Sequence, residues 1–484
     1  MSGKFKKIMG ICLSMVLAFS VTLPAYAEPT FGFGCLDDYE FDKTTGHLFI
    51  GKDIERKAIK DYLDSFFFPP FSKRDIQSVT IKDGVTKIGD CAFLGCGGLK
   101  KVEIPNSVTY IGRVAFANCT GLTSVIIPDS VTSISNGAFE DCKGLTSITI
   151  PNSVKEIGES AFARCKGLTS VTIGSGVTSI CNTAFKDCTG LTSVTILNSV
   201  KEIGNQAFKD CTGLKEINIP NSVEKIGYNK HSDCMGLKQS IIDLESDIIS
   251  AKCGDRQNVG AFEGCKGLTS INVDEGNQYY KSIDGVLFSK DGTKLIQYPI
   301  GKKATNYIIP DSVTSIGGLA FKGCTNLTSI DIPDNITFIG DEAFEGCKGL
   351  TSVIIPDSVT HIGGQAFKGC TGLTSITIPD SVTSIGERAF RVHRRLEEEV
   401  TISENAFEGC TGLTSVNIGR GVRKIEPYAF EGCTGLNQVT ITSYIDISRY
   451  AFKGCTGLKE VTIPKILDER LDGVFDEDVK INKV

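Results

Sequence analysis

The sequence predicts a β-dominant α/β repeat, folded as a single right-handed solenoid with a parallel β-sheet on its concave face. Three observations lead there. The pair Ala-Phe recurs with its ring at Phe93, Phe116, Phe139, Phe162, Phe185 and Phe208, a step of 23 residues each time; the phase returns at Phe321, Phe344, Phe367 and Phe390, then at Phe407, Phe430 and Phe452. Most copies alternate apolar and polar residues over a short stretch that ends at Pro or a turn residue. Most also carry a Cys three residues after the ring. Self-similarity at this period marks stacked units, none of which buries its apolar face alone.

The elements follow in chain order. Lys4, Lys6 and Lys7 precede an apolar run from Ile8 to Leu23, and Ala25-Tyr26-Ala27 supplies small residues before Glu28. This is the pattern of a secretory signal over 1–27, too short and wrongly flanked for a membrane span. Cys12 lies inside that run without a lipoprotein-type context, and the closing FDEDVKINKV has no apolar tail. The expectation is an exported, monomeric protein, secreted or held at the cell surface, with no membrane span once processed. Removing three lysines with the signal takes the formal charge from −6 to −9. That acidic balance argues against nucleic acid and anionic membranes as partners.

One copy shows the unit. Leu122, Val125 and Ile127 follow the pattern L-x-x-L-x-L, which places Val125 and Ile127 on one face of a short strand. Pro128 ends ladder donation, and Asp129 and Ser130 favour a turn. Val131 and Ile134 return to the core; Ala138, Phe139 and Cys142 complete the far side through a short irregular or 3₁₀ segment. Gly often follows the second Ile, as at Gly112 and Gly158, where the coil is expected to bend. The period falls in the range of leucine-rich repeats, and the chirality of parallel crossovers makes the coil right-handed.

The phrase LTSVIIPDSVTSISNGAFEDC (122–142) resembles the BspA-like leucine-rich repeat family of bacterial and protist surface proteins, and the likeness covers nearly the whole chain after residue 27. CLDDYEFDKTTGHLFIGKD (35–53), followed by IQSVTIKDGVTKIGDCAF (76–93), resembles that family's amino-terminal cap, giving a cap over 28–78 and a solenoid over 79–464. YYKSIDGVLFSKDGTKLIQYPIGK (279–302) resembles its inserted hairpin, assigned to 274–309 with Asp291-Gly292 at the turn. The resemblance implies secretion or surface display and adhesion to host proteins or other cells, and it brings no catalytic residue or cofactor. Three departures interrupt the stacking. Residues 227–260 keep Cys234 and Leu237 in register but have His231 for the ring. The coil over 391–405 puts His393 at the Cys position, and 465–484 forms a tail or last coil without a recognisable cap.

Fourteen of the nineteen cysteines hold the repeat position: Cys96, Cys119, Cys142, Cys165, Cys188, Cys211, Cys234, Cys265, Cys324, Cys347, Cys370, Cys410, Cys433 and Cys455. Neighbouring coils about 5 Å apart would permit disulfides by distance alone, and export permits oxidation. In-register side chains point in parallel, however, whereas a disulfide needs Cβ atoms converging to about 3.8 Å. The expectation is therefore a column of buried free thiols acting as small apolar filler. Cys35, Cys91, Cys181 and Cys253 stand outside the column and remain disulfide candidates without assignable pairing. No second metal ligand accompanies the repeated Cys at a zinc-like spacing, and no His stands at a fixed offset to activate it, so no metal and no catalytic residue is assigned. Phosphate-loop, HExxH and G-x-S-x-G patterns are also missing from the sequence.

Outward positions on the strands alternate with the core ones: Ser124 with Ile126, Ser147 with Thr149, Ser170 with Thr172, Ser193 with Thr195 and Ser375 with Thr377. They predict a broad, low-charge face suited to an extended protein or a glycan, as solenoids often offer. The insert adds Tyr279, Tyr280, Phe288 and Tyr298, either as core of the hairpin or as a recognition knob. The charge run HRRLEEE (393–399) reads as a solvated, self-compensating segment. The functional expectation is an adhesin-like binding protein, with a structural spacer lacking any specific ligand as the alternative.

Overall fold

The computed structural model describes residues 39–42, 44–51, 74–228, 260–379, 381–382, 384–385, 401–402, 405–418, 422, 424–441, 444–465 and 471–483. Among these residues the fold is a β-dominant solenoid of stacked coils, and no α-helix is present. Each regular coil has three sides. The first is a strand such as Ser147–Ile150, whose residues alternate between exposed and buried. It pairs in parallel and in register with Ser170–Ile173, which pairs in turn with Ser193–Thr195. The second side is a two-residue strand, Glu156–Ile157, between Ser133–Ile134 and Ser179–Ile180.

The third side has no strand, yet every second amide is bonded to the next coil. The amides of Ser160, Phe162 and Arg164 donate to the carbonyls of Asn182, Ala184 and Lys186 in the next coil, at 3.1, 2.8 and 2.7 Å. Ala161 and Ala163, between them, donate back three residues within their own coil, to Gly158 and Ser160. The alternation requires left-handed backbone on either side of the ring: Ser160 and Arg164 have φ of 55° and 61°, and Thr183 and Asp187 of 54° and 59°. Non-glycine residues adopt that region rarely, so this side carries strain that the inter-coil bonds offset.

The glycines serve close approach rather than bending. A Cβ on Gly158 would stand 2.7 Å from the carbonyl oxygen of Ile134 in the coil before, and one on Gly372 would stand 2.4 Å from that of Lys348.

Inside, the rings form a stack. Phe93, Phe116, Phe139, Phe162, Phe185, Phe208 and Phe262 follow one another with centroids 4.9–6.0 Å apart and planes within 13°. A second stack begins at Tyr298 and runs through Phe321, Phe344, Phe367, Phe407, Phe430 and Phe452 to Phe475. Two of the steps correct the sequence expectation. Phe208 is followed directly by Phe262, and strand Glu216–Ile219 pairs with Ser270–Val273. Phe367 is followed by Phe407, and Ser375–Ile378 pairs with Ser415–Ile418. Phe390 and Cys234 lie outside the described residues, as do His231, His393 and the signal segment. Phe475 adds a rung that was not anticipated, 23 residues after Phe452, with Val474 in the place of the usual Ala.

The insert separates two cores. It is a three-stranded antiparallel meander, Tyr280–Ile283, Val286–Ser289 and Lys294–Gln297, with a two-residue turn at Asp284-Gly285 (φ 50° and 74°) before the four-residue connection, 290–293, that holds Asp291-Gly292. Tyr280, Leu287 and Ile296 join the core that precedes it; Val286, Phe288, Leu295 and Tyr298 join the core that follows. Because neighbouring residues on a strand face opposite ways, one small sheet is buried on both sides.

Candidate ligand-binding face

Strand alternation makes the first side of the coil a periodic surface. Two columns of side chains run along it, one coil step or about 4.8 Å between members. One column reads Lys101, Ser124, then Ser147, Ser170, Ser193, and later Ser329, Ser352, Ser375, Ser415. The other includes Thr149, Thr172 and Thr195, then Ile354, Thr377 and Asn417. Ser124, Ser147, Thr149, Ser170, Thr172, Ser193, Thr195, Ser375 and Thr377 are all exposed.

The hydroxyls of the protein fall into two groups. Many tie one coil to the last: Thr169 Oγ1 donates to the Thr146 carbonyl at 3.0 Å, Thr374 Oγ1 to Thr351 at 3.0 Å, and Ser153 Oγ to Val131 at 2.6 Å. The nine outward hydroxyls named above make no hydrogen bond within the protein among the described residues. Four successive coils, from Ser124 to Thr195, carry no charge on these columns, a length of roughly 14 Å. Charge resumes only at the borders. Lys101 pairs with Glu103 at 2.6 Å, holding that carboxyl below its usual range, and Glu216 follows on the far side.

Ile126, Ile308 and Ile354 are 82, 68 and 81 % exposed. The latter two escaped sequence reasoning, although a signal was there: the doublet Ile-Ile before Pro sends the first Ile outward. The tyrosines separate. Tyr279 is 50 % exposed, whereas Tyr280, expected on the binding surface, is 8 % exposed. Its ring closes the end of the second-side sheet, with its hydroxyl accepting from the Ile226 amide at 3.1 Å and donating to the Glu224 carbonyl at 3.4 Å. Tyr280 is structural.

The cysteine column is more than filler. Cys119, Cys142, Cys165, Cys188 and Cys211 each donate from Sγ to the carbonyl of the Phe one coil back, at 3.1–3.2 Å. Cys265, Cys347, Cys370, Cys410, Cys433 and Cys455 do the same at 3.0–3.2 Å. Each such carbonyl already accepts the amide of the Cys in its own coil, as Phe116 does from Cys119 at 3.1 Å, so the thiol fills its second lone pair. Burial pushes the thiols of Cys165, Cys265 and Cys347 up to about 12. Cys96 and Cys324 are buried in the same column.

Cys91 and Cys181, expected as disulfide candidates, are thiols. Cys91 sits on the third side at φ 60°, and Cys181 replaces the glycine after Ile180, donating to Glu156 Oε1 at 3.1 Å. Four coils separate them, far beyond disulfide reach. Cys35 and Cys253 lie outside the described residues. Among the described residues no group of three His, Cys, Asp or Glu is placed to hold a metal ion, and no helix is long and apolar enough to cross a membrane.

The family model for a BspA type leucine-rich repeat region, itself a unit of six copies, matches over residues 69–192, 179–302, 298–400 and 395–484. The chain belongs to this family. A leucine-rich cell surface protein of Faecalibacterium prausnitzii is similar at 26 % identity and TM-score 0.54, over 90 % of this chain and 99 % of its own. A leucine-rich repeat protein of Bacteroides ovatus is similar at 28 % and 0.53, over 95 % and 100 %. The pneumococcal vaccine antigen PcpA shares the fold, at 20 % identity and TM-score 0.53 over 84 % of this chain and 79 % of its own. No curated protein matches the chain.

Proposed function

We propose that this BspA-type protein is a secreted or cell-surface binding protein, adhesin-like, that recognises a host or cell-surface protein, or a glycan, through the outer face of its first-side strands. One observation carries the reading: exposed hydroxyls with no partner in the protein stand at fixed spacing over four uncharged coils, with the exposed Ile126 among them. Such a face offers hydrogen bonds and apolar contact without a desolvation cost for charge. The similarity to a protein described as a leucine-rich cell surface protein supports the location.

The test is to immobilise residues 28–484 and screen extracellular-matrix proteins, intact cells and glycans for saturable binding in the micromolar range or tighter. Deleting the insert is not a usable control, because its strands belong to both cores. Thr149→Lys with Thr172→Lys places charge on the face without touching the core, and should weaken binding at least tenfold. Tyr279→Ser tests the exposed tyrosine separately. Absence of any saturable ligand would favour a spacer.

A further inference from the structure

In the closed solenoid every column thiol among the described residues is buried, and eleven of them donate to a carbonyl one coil back. Coil spacing holds neighbouring Cα atoms inside the disulfide range of about 4.4–6.8 Å, but parallel side chains do not bring Cβ atoms to about 3.8 Å. Column neighbours such as Cys347 and Cys370 are thus held side by side and prevented from bonding.

We propose that the column is a redox gate: the coils close only on the reduced chain, and a small-molecule disulfide that reaches an opened pair of coils locks it open through a bond between adjacent rungs. Opening exposes two thiols 23 residues apart, a short loop to close. Once in water they regain ordinary acidity, and the thiolate is the nucleophile. The first thiolate attacks the small disulfide, breaking its S–S bond and releasing one small thiolate, which takes a proton. The neighbouring thiolate then attacks the protein sulfur of the mixed disulfide and releases the second. Two protein thiols become one disulfide, and two electrons pass to the reagent.

The product does not fit the closed coil. Its Cβ atoms are drawn together, and the carbonyls of Phe321 and Phe344 lose the donors that Cys347 and Cys370 supplied. The same two coils carry strands Ser352–Ile354 and Ser375–Ile378, whose in-register pairing builds the outward columns. Locking the rung open therefore dismantles that part of the strand face.

The experiment treats the whole chain with glutathione disulfide, once in native buffer and once in urea. Both samples are then returned to native buffer without oxidant, and far-UV circular dichroism, thermal unfolding and disulfide mapping by mass spectrometry follow. The folded sample should keep its column thiols and its transition. The urea-treated sample should contain adjacent-rung disulfides and recover its β signal only after dithiothreitol. Column disulfides in the folded sample with an unchanged transition would overturn the proposal. So would an oxidised chain that refolds to the original transition, or one that misfolds through disulfides sparing adjacent rungs.

Discussion

Cys370 Sγ donates a hydrogen bond to the main-chain carbonyl of Phe344, 3.1 Å away in the preceding coil. The same carbonyl accepts the Cys347 amide at 3.1 Å, so two successive coils meet at one oxygen. The relationship gives the repeated thiol a role that size alone does not.

Removing that donor should cost more than removing a column thiol that lacks the bond. Cys324 is such a case: the carbonyl 26 residues back, on Tyr298, accepts Gln297 Nε2 at 3.3 Å instead. Cys370→Ala is expected to lower stability by about 2 kcal/mol, from cavity and lost hydrogen bond together, and Cys324→Ala by about 1 kcal/mol. Urea unfolding of the two variants checks the difference, and equal losses would remove the donor role.

Alkali should unfold the protein steeply. Burial holds the thiols of Cys165, Cys265 and Cys347 near 12 in the folded state, against an ordinary value near 9.0. A folded value above the unfolded one means their contribution is fully present below pH 9 and is lost as pH rises towards 12. Each such thiol contributes a slope of about 1.4 kcal/mol per pH unit in that window. Urea midpoints measured from about pH 8 to 10.5 should fall accordingly. Cys165→Ala should flatten the dependence by one proton.

Backbone strain on the third side is open to relief. Val114 is β-branched at φ 47°. Val114→Asn, which tolerates the left-handed region, should stabilise by about 0.5–1 kcal/mol, seen as a higher melting temperature.

Lys322 gathers three carboxylates across the insert: Glu263 at 3.3 Å, Glu342 at 2.5 Å and Glu345 at 2.8 Å. Burial, with Glu342 alongside, raises Glu345 above the ordinary carboxylate range. Glu345 therefore favours the folded state in acid, and that contribution is lost as pH rises through its raised value. Lys322→Gln should cost about 1–2 kcal/mol at neutral pH, discounted for partial exposure, and less near pH 4 as the carboxylates protonate. A loss that does not change with pH would point to packing alone.

Tyr280 and Tyr279 should behave oppositely. Tyr280→Phe leaves the buried Ile226 amide without its acceptor and should destabilise by about 1–2 kcal/mol. Tyr279→Ser should leave the unfolding midpoint within about 0.5 kcal/mol of the parent.

Much of this fold was legible in the chain. The 23-residue step located the ring stack, and strand alternation separated core from outward Ser and Thr. Two kinds of fact were not. Spacing alone does not show which strands pair across an irregular stretch; here Glu216–Ile219 pairs with Ser270–Val273. Periodicity also marks where a Cys stands without showing that its proton meets a carbonyl one coil away. Tyr280 stayed open between hairpin core and recognition knob for a similar reason, since aromatic density in an insert does not reveal which ring closes a sheet end. The candidate face was legible in its Ser and Thr and incomplete in its Ile.

Thiol titration of the protein without reductant tests the column most directly. The fourteen buried cysteines among the described residues should be silent in the folded state and react after denaturation. If denaturation released none of them, the column would be disulfide-bonded and the thiol-to-carbonyl ladder would be wrong.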